Sequence, residues 1–315
     1  MIATVTLNPA LDRIYFIDDF QDNKTCHLIN NNLVSLSSGG KGINVSVQLS
    51  KLDTTSVALG FIGQETGRLI EKELLLQGIT TNFVRIDGRT RTSIFVVDSN
   101  NQTVKGICEH GPEISKEDRS MFLELFEKNM KSVDMVFIGG KLIDPLDSKF
   151  YAKLIRIANN NNVKTLVLPN EGCCAQVIKA EPFMLFPDIR ENKTVNGVLL
   201  NSIPECIDFV KETYSNNTKT QYIVFDINKK VVICSRTTAY VFDIEQSNFA
   251  NLIGLEDAIM SGFIYAIDKS YSEKELVNFV GALALEYLKT NKKYCSNLED
   301  IMQRKNIIQP EVIAL

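Results

Sequence analysis

The sequence predicts an α/β fold: a doubly wound, mostly parallel sheet flanked by helices, with a small β-sheet lid appended. Two observations carry this. Short apolar runs alternate with amphipathic helical patterns over most of the 315 residues, the pattern of strand–helix–strand units. Two segments, about 12–37 and 83–108, break the alternation with strands that have no helix between them. Such an appendage commonly covers a site at the carboxyl ends of the parallel strands.

In chain order, Ile2–Leu7, Ser56–Phe61, Met135–Ile138, Thr165–Leu168, Phe183–Phe186 and Tyr222–Phe225 read as buried strands, each a short apolar run. Helices are expected near Gly42–Leu52, Glu65–Gln77, Lys116–Met130, Ser148–Asn159 and Pro204–Tyr214, with Gly78 capping the second. Ala258, Ile259, Gly262, Phe263, Ala266 and Ile267 recur at helical spacing, so a buried helix starts near Glu256. Ser272 and Glu275 form a capping-box pair ahead of another apolar stripe, from Leu276 to Leu288. The extra strands are Arg13–Asp18, Leu33–Leu36, Phe83–Ile86, Thr92–Val97 and Thr103–Ile107. The runs Asn30–Asn32 and Asn159–Asn162 read as loops.

Hydrophobic residues make up 44% and charged residues 23%, enough apolar material for a sizeable core. The net charge is -4 and no Lys/Arg cluster stands out, which argues against nucleic-acid or anionic-membrane partners. The opening MIATVTLNPALD lacks a basic leader, and Asn8, Pro9 and Asp12 interrupt its apolar run, so no signal peptide is expected there. No apolar stretch is long enough to span a bilayer. The seven cysteines lack metal-type spacing and read as reduced and mostly buried. A cytoplasmic protein is the expectation.

Several motifs bear on chemistry. SSGGKGINVS, Ser37 to Ser46, has glycines that let backbone approach a ligand, and a helix follows. It is not a Walker A loop, since Gly42 follows Lys41 where Ser or Thr would stand. TLNPALD carries a strand into a turn and then Asp12, an acceptor for substrate hydroxyls or a solvated acid. GRTRTS places Arg89 and Arg91 between two strands; a guanidinium fork suits phosphate, although such a pair also fits a solvated loop. NLIGLEDAIMSGF puts Gly254, Glu256 and Asp257 at a helix N-terminus, whose free N–H groups suit an anion.

Taken together, TLNPALD, GGKGINVS, LGFIGQETG (Leu59–Gly67), Thr90-Arg91 and HGPEIS (His110–Ser115) resemble the ribokinase/PfkB carbohydrate kinase family, within it the 1-phosphofructokinase and tagatose-6-phosphate kinase branch. The likeness covers essentially the full length. It implies a single ribokinase-like domain over 1–315 with a β-sheet lid that is commonly the homodimer contact. It implies that Asp12, Gly39, Gly40, Lys41 and Asn44 line a sugar site and that Arg91 holds the existing phosphate. ATP with Mg²⁺ would occupy the C-terminal half. Asp257 would be the catalytic base, and the turn at Gly254 an anion hole for the moving phosphoryl.

Some positions depart from the family pattern. The usual Gly-Ala-Gly-Asp reads Gly254-Leu255-Glu256-Asp257. A carboxylate there repels a triphosphate unless a cation intervenes or the side chain turns away. The usual Lys-Pro-Asn-x-x-Glu reads Phe186-Pro187-Asp188-Ile189-Arg190-Glu191. The nucleotide turn loses its glycines at Phe225–Lys230, and Lys141 and His27 are unusual near the sugar. Asp188, Glu191 and Glu256 are the carboxylates available to nucleotide-bound Mg²⁺. Two functions follow: an ATP-dependent kinase acting on tagatose 6-phosphate or fructose 1-phosphate, or an impaired pseudokinase that binds a sugar phosphate in a regulatory role.

Overall fold

The computed structural model describes residues 1–17, 24–26, 34–98, 100–101, 103–170, 172–189, 193–216, 219–244, 254–290, 293–295 and 297–315. His27, Asn30–Asn32 and Glu191 lie outside the described residues.

The main sheet grows outward from β1 (Ile2–Thr6), all five of whose residues are buried. On one side β1 pairs in parallel with β4 (Ser56–Gly63), which pairs with β5 (Thr80–Ile86). On the other side β8 (Met135–Gly140), β9 (Lys164–Pro169), β10 (Met184–Leu185) and β13 (Tyr222–Ile227) continue in parallel. Strand order therefore reverses at β1, and the crevice beside its carboxyl end is where ligands of such sheets bind. Beyond β13 the sheet turns antiparallel through β14 (Lys230–Cys234), β15 (Thr238–Asp243) and β16 (Glu311–Ala314). The β13–β14 connection has Ile227 paired with Lys230 and positive φ at Asn228 and Lys229, 49° and 62°. This is a two-residue hairpin without glycine, formed where the family's nucleotide turn was expected.

Both faces are covered because side chains alternate along each strand. Val136 and Ile138 of β8 join the core under α3 (Lys116–Met130), α4 (Ser148–Asn160), α5 (Cys174–Lys179) and α6 (Ile203–Asn216). Met135 and Phe137 join the opposite core, under α1 (Lys41–Lys51), α7 (Leu255–Asp268), α8 (Glu273–Lys289) and α9 (Leu298–Ile307). On that same side α2 (Gln64–Leu76) packs on α1 through Ile43, Val47, Ile70 and Leu74. After α2, Gly78 takes φ 75°, while Gly78 and Ile79 N–H donate back to Leu75 and Leu74 carbonyls, completing the expected cap. The Ser272–Glu275 capping box is formed.

A separate four-stranded sheet runs β3 (Val34–Gly39), β2 (Ala10–Ile17), β6 (Arg91–Asp98), β7 (Thr103–Cys108). One expected member of it belongs elsewhere: Phe83–Ile86 lies in β5, an edge strand of the main sheet parallel to β4. Edge strands exposed on one face alternate polar and apolar residues just as appended strands do, so the pattern could not separate them. Asn159 and Asn160, expected in a loop, end helix α4. None of the seven cysteines is in a disulfide; five are buried, and Cys26 and Cys108 are exposed. No described helix is long and apolar enough to cross a membrane.

Helix α7 carries the centre of one core: Phe263 is fully buried and meets Tyr222 of β13 edge-on at 5.5 Å. Phe263→Ala is expected to destabilise the protein by about 3–5 kcal/mol, since the cavity adds to the lost burial. The urea midpoint of the variant against that of the parent measures it.

Candidate functional site

Two helices start at the crevice beside β1 with glycine as the cap residue, so neither has a capping side chain of its own. Helix α1 starts after Gly40 and α7 after Gly254, with no side-chain cap bond at either. By contrast α3 and α8 carry full capping boxes. In α7 the first intrahelical bond runs from Ala258 N–H to the Gly254 carbonyl. The N–H groups ahead of it lie outside the helical ladder, the arrangement that receives anions. Gly254 has φ 107°, a left-handed conformation, and a Cβ there would stand 2.6 Å from the Tyr287 hydroxyl. Glycine is therefore required on two grounds.

The glycines before α1 serve close approach. A Cβ on Gly39 would collide with the Asp12 carboxylate, and one on Gly42 would lie 2.5 Å from the Val5 carbonyl. The Thr6 hydroxyl accepts from Ile43 N–H at 2.8 Å, fastening the helix start to the end of β1. Gly140, at the end of β8, leaves space for the Lys41 stem, whose Cγ would be 3.2 Å from a Cβ there.

From the first turn of α1, Lys41 and Asn44 both reach the first turn of α7. The Lys41 ammonium forms an ion pair with Glu256 and lies 3.5 Å from Asp257 Oδ1. Asn44 Nδ2 donates to Asp257 Oδ2 at 2.7 Å. Glu256 and Asp257 are 2% and 4% exposed, so two adjacent carboxylates are buried around one ammonium. Asp257 Oδ1 is buried and has no hydrogen-bond partner. It faces Lys41 as an ion-pair partner but accepts no hydrogen bond. Glu256 is turned onto a cation, one of the two arrangements under which a carboxylate at this position can coexist with phosphate.

The sugar-side candidates form a second cluster. Asp12 on β2 sits opposite Ser37 of β3, and its Oδ2 accepts from the Lys293 ammonium at 3.2 Å. The Arg91 guanidinium, at the start of β6, donates to the Asn8 carbonyl from Nε at 3.3 Å and Nη2 at 3.2 Å. It is thereby held at the mouth of the crevice. Arg89 instead pairs with Glu109 on the exposed side at 3.3 Å. Lys141 is exposed. Asp188 lies three residues beyond β10 and is half-buried. Among the described residues no group of three or more His, Cys, Asp or Glu is placed to hold a metal ion. Any Mg²⁺ would therefore come with its own phosphate oxygens, taking one or two protein carboxylates at most.

The sequence did not signal Lys293, Tyr294 and Tyr287 as site residues. Lys292-Lys293-Tyr294 follows an amphipathic helix and looks like a solvated turn. Yet Lys293 touches Asp12, and the Tyr294 hydroxyl donates to Asn44 Oδ1 at 3.2 Å.

The chain is similar to known proteins over nearly its whole length. The model of the pfkB family carbohydrate kinases matches residues 5–296. A 1-phosphofructokinase of Borreliella burgdorferi is 29% identical over 281 residues, covering 89% of each chain. One of Bacillus subtilis is 27% identical, covering 87% of this chain and 88% of its own. A crystal structure from Thermotoga maritima, described as a possible 1-phosphofructokinase, superposes with a TM-score of 0.91 at 31% identity, covering 100% of this chain and 99% of that one.

Lys41→Met removes the one ammonium that the two carboxylates share. It is expected to cost about 3 kcal/mol in urea denaturation, because uncompensated buried charge is strongly destabilising. Adding Glu256→Gln to Lys41→Met should recover part of that loss, a non-additivity that a double-mutant cycle reads directly.

Proposed function

The chain belongs to the pfkB family of carbohydrate kinases, and from that premise we propose that it transfers the γ-phosphoryl group of ATP to a hydroxyl of a sugar phosphate. The acceptor is fructose 1-phosphate or tagatose 6-phosphate, and the product is the bisphosphate. The supporting observation is Asp257 Oδ1: a buried carboxylate oxygen without a hydrogen-bond partner, at the open N-terminus of α7. A base needs such an acceptor within reach of the proton it removes. Asp257 takes the hydroxyl proton, the sugar oxygen bonds to the γ-phosphorus, and the bond to the β–γ bridging oxygen breaks to release ADP.

The remaining residues have roles consistent with their placement. The N–H groups after Gly254 receive the phosphoryl oxygens. Lys41, exchanging its contact with Glu256 for phosphate, offsets their charge. Asn44 fixes the Asp257 carboxylate through its 2.7 Å bond. Arg91, already oriented by the Asn8 carbonyl, takes the phosphate the sugar brings. Asp12, Gly39 and Gly40 line the sugar. Asp188 and Glu256 are the described carboxylates that would hold a nucleotide-borne Mg²⁺, which would neutralise phosphate charge. The relatives named 1-phosphofructokinase support this assignment. The cytoplasm is the matching compartment.

A homodimer through the small sheet is part of the same proposal. Leu36, Arg13, Ile94 and Ile107 lie in one register row across β3, β2, β6 and β7. Leu36 and Ile107 are 52% and 71% exposed, an apolar surface that a second copy would cover.

A coupled assay with either sugar phosphate, ATP and magnesium should show turnover, and Asp257→Asn should lower kcat by about 10²–10⁴-fold. Parent turnover no higher than that of Asp257→Asn with both sugars would overturn the proposal. Thermal stabilisation by sugar phosphate but not by ATP would instead identify a regulatory binder. For the assembly, sedimentation should give a dimer for the parent and a monomer for Ile107→Asp.

A further inference from the structure

An adjacent pair of side chains joins the two clusters of the site. Lys293 and Tyr294 follow α8 in the chain and return to the crevice from the C-terminal side. The Lys293 ammonium donates to Asp12 Oδ2 at 3.2 Å, Ser37 Oγ at 3.0 Å and the Ser38 carbonyl at 2.8 Å. The next residue, Tyr294, donates its hydroxyl to Asn44 Oδ1 at 3.2 Å, and Asn44 Nδ2 donates to Asp257 Oδ2 at 2.7 Å. The contacts thus run from Asp12 to Lys293, along the backbone to Tyr294, and through Asn44 to Asp257.

Each link fixes the next. An ammonium has three donors, and all three of those on Lys293 have protein acceptors, so it acts through Asp12 rather than on a ligand. It holds one carboxylate oxygen of Asp12 and leaves the other for a sugar hydroxyl. Burial opposes the charge of Lys293, but Tyr294 and Asp12 beside it outweigh burial and raise its pKa above the usual lysine range. Burial pushes the Tyr294 phenol up to about 12, against the opposing effect of Lys293, so at neutral pH it remains a donor. A donor facing Asn44 Oδ1 fixes which way the amide lies: its oxygen must face Tyr294 and its nitrogen Asp257. Without that hydroxyl the amide can turn over and present oxygen to a carboxylate.

We propose that Lys293 and Tyr294 form a positioning brace that sets Asp12 for sugar recognition and Asn44 for orientation of the base, so that the sugar and catalytic subsites keep a fixed separation. This rests on the kinase reading above and adds to it two positioning residues with separable effects. Lys293 governs acceptor binding, and Tyr294 governs the chemical step.

The test is steady-state kinetics of the parent, Lys293→Met and Tyr294→Phe with fructose 1-phosphate or tagatose 6-phosphate, ATP and magnesium, with melting temperatures alongside. Lys293→Met is expected to raise KM for the sugar phosphate about tenfold, with KM for ATP within about twofold of the parent. Tyr294→Phe is expected to lower kcat about tenfold while leaving the sugar-phosphate KM within about twofold. Lys293→Arg should recover most of the KM. If Lys293→Met does not fold, Lys293→Gln must show the same rise in KM. Active parent enzyme with both variants unchanged, or with both variants moving the same parameter, overturns the brace. A parent inert with both sugars overturns the kinase reading itself, and the brace with it.

Discussion

Helix α7 enters the core with two adjacent carboxylates in its first turn, and the Lys41 ammonium is what permits it. Glu256 and Asp257 are almost wholly buried. Two such charges side by side would neutralise or force the helix outward unless a cation met them. Lys41 comes from the first turn of α1, so the ion pair also brings the two helix starts together. The glycines around Lys41 serve the same end. Gly40 and Gly42 let α1 begin hard against β1, Gly39 leaves room for the Asp12 carboxylate, and Gly140 leaves room for the lysine stem. Close packing of α1 on β1 and the electrostatics of α7 are one arrangement viewed from two sides.

That arrangement explains the unequal treatment of helix N-termini in the molecule. Where a helix begins in solvent, as α3 and α8 do, a serine and an acid three residues on satisfy its N–H groups. Where α1 and α7 begin, glycine stands at the cap, as it does at α2; Thr6 takes one N–H of α1, and no side chain closes the first turn of α7. A structural end would gain about 1 kcal/mol from a capping side chain. Leaving two adjoining ends open in one crevice keeps backbone donors ready for a ligand.

Much of this was legible in the sequence, for reasons that differ by element. Buried parallel strands such as β8 are near-continuous apolar runs and stand out whatever their neighbours. Helices α2 and α8 carried their own end signals. The strands β14 to β16 gave no such cue, because an antiparallel extension lacks the strand–helix alternation that betrays the rest. At the site, Lys41, Asn44 and Asp257 were legible through motifs, since each lies in a glycine-marked helix start. Their pairing was not: Lys41 and Glu256 stand 215 positions apart, and only the meeting of α1 with α7 joins them. Lys293 and Tyr294 were invisible because a lysine beside a tyrosine after a helix is chemically ordinary until Asp12 and Asn44 are placed beside it.

The glutamate in place of the family's usual glycine has a physical resolution. With glycine there, Lys41 and Asp257 would balance, and two open helix ends would add a positive field. With Glu256 the three side chains sum to one negative charge. Each helix N-terminus contributes about half a positive charge, so the two ends together roughly offset it. The cluster is then close to neutral before any ligand arrives, which suits a buried site. Its attraction for phosphate appears only when Lys41 leaves Glu256. On the kinase reading proposed above, an incoming phosphate would compete with an internal carboxylate for the same ammonium.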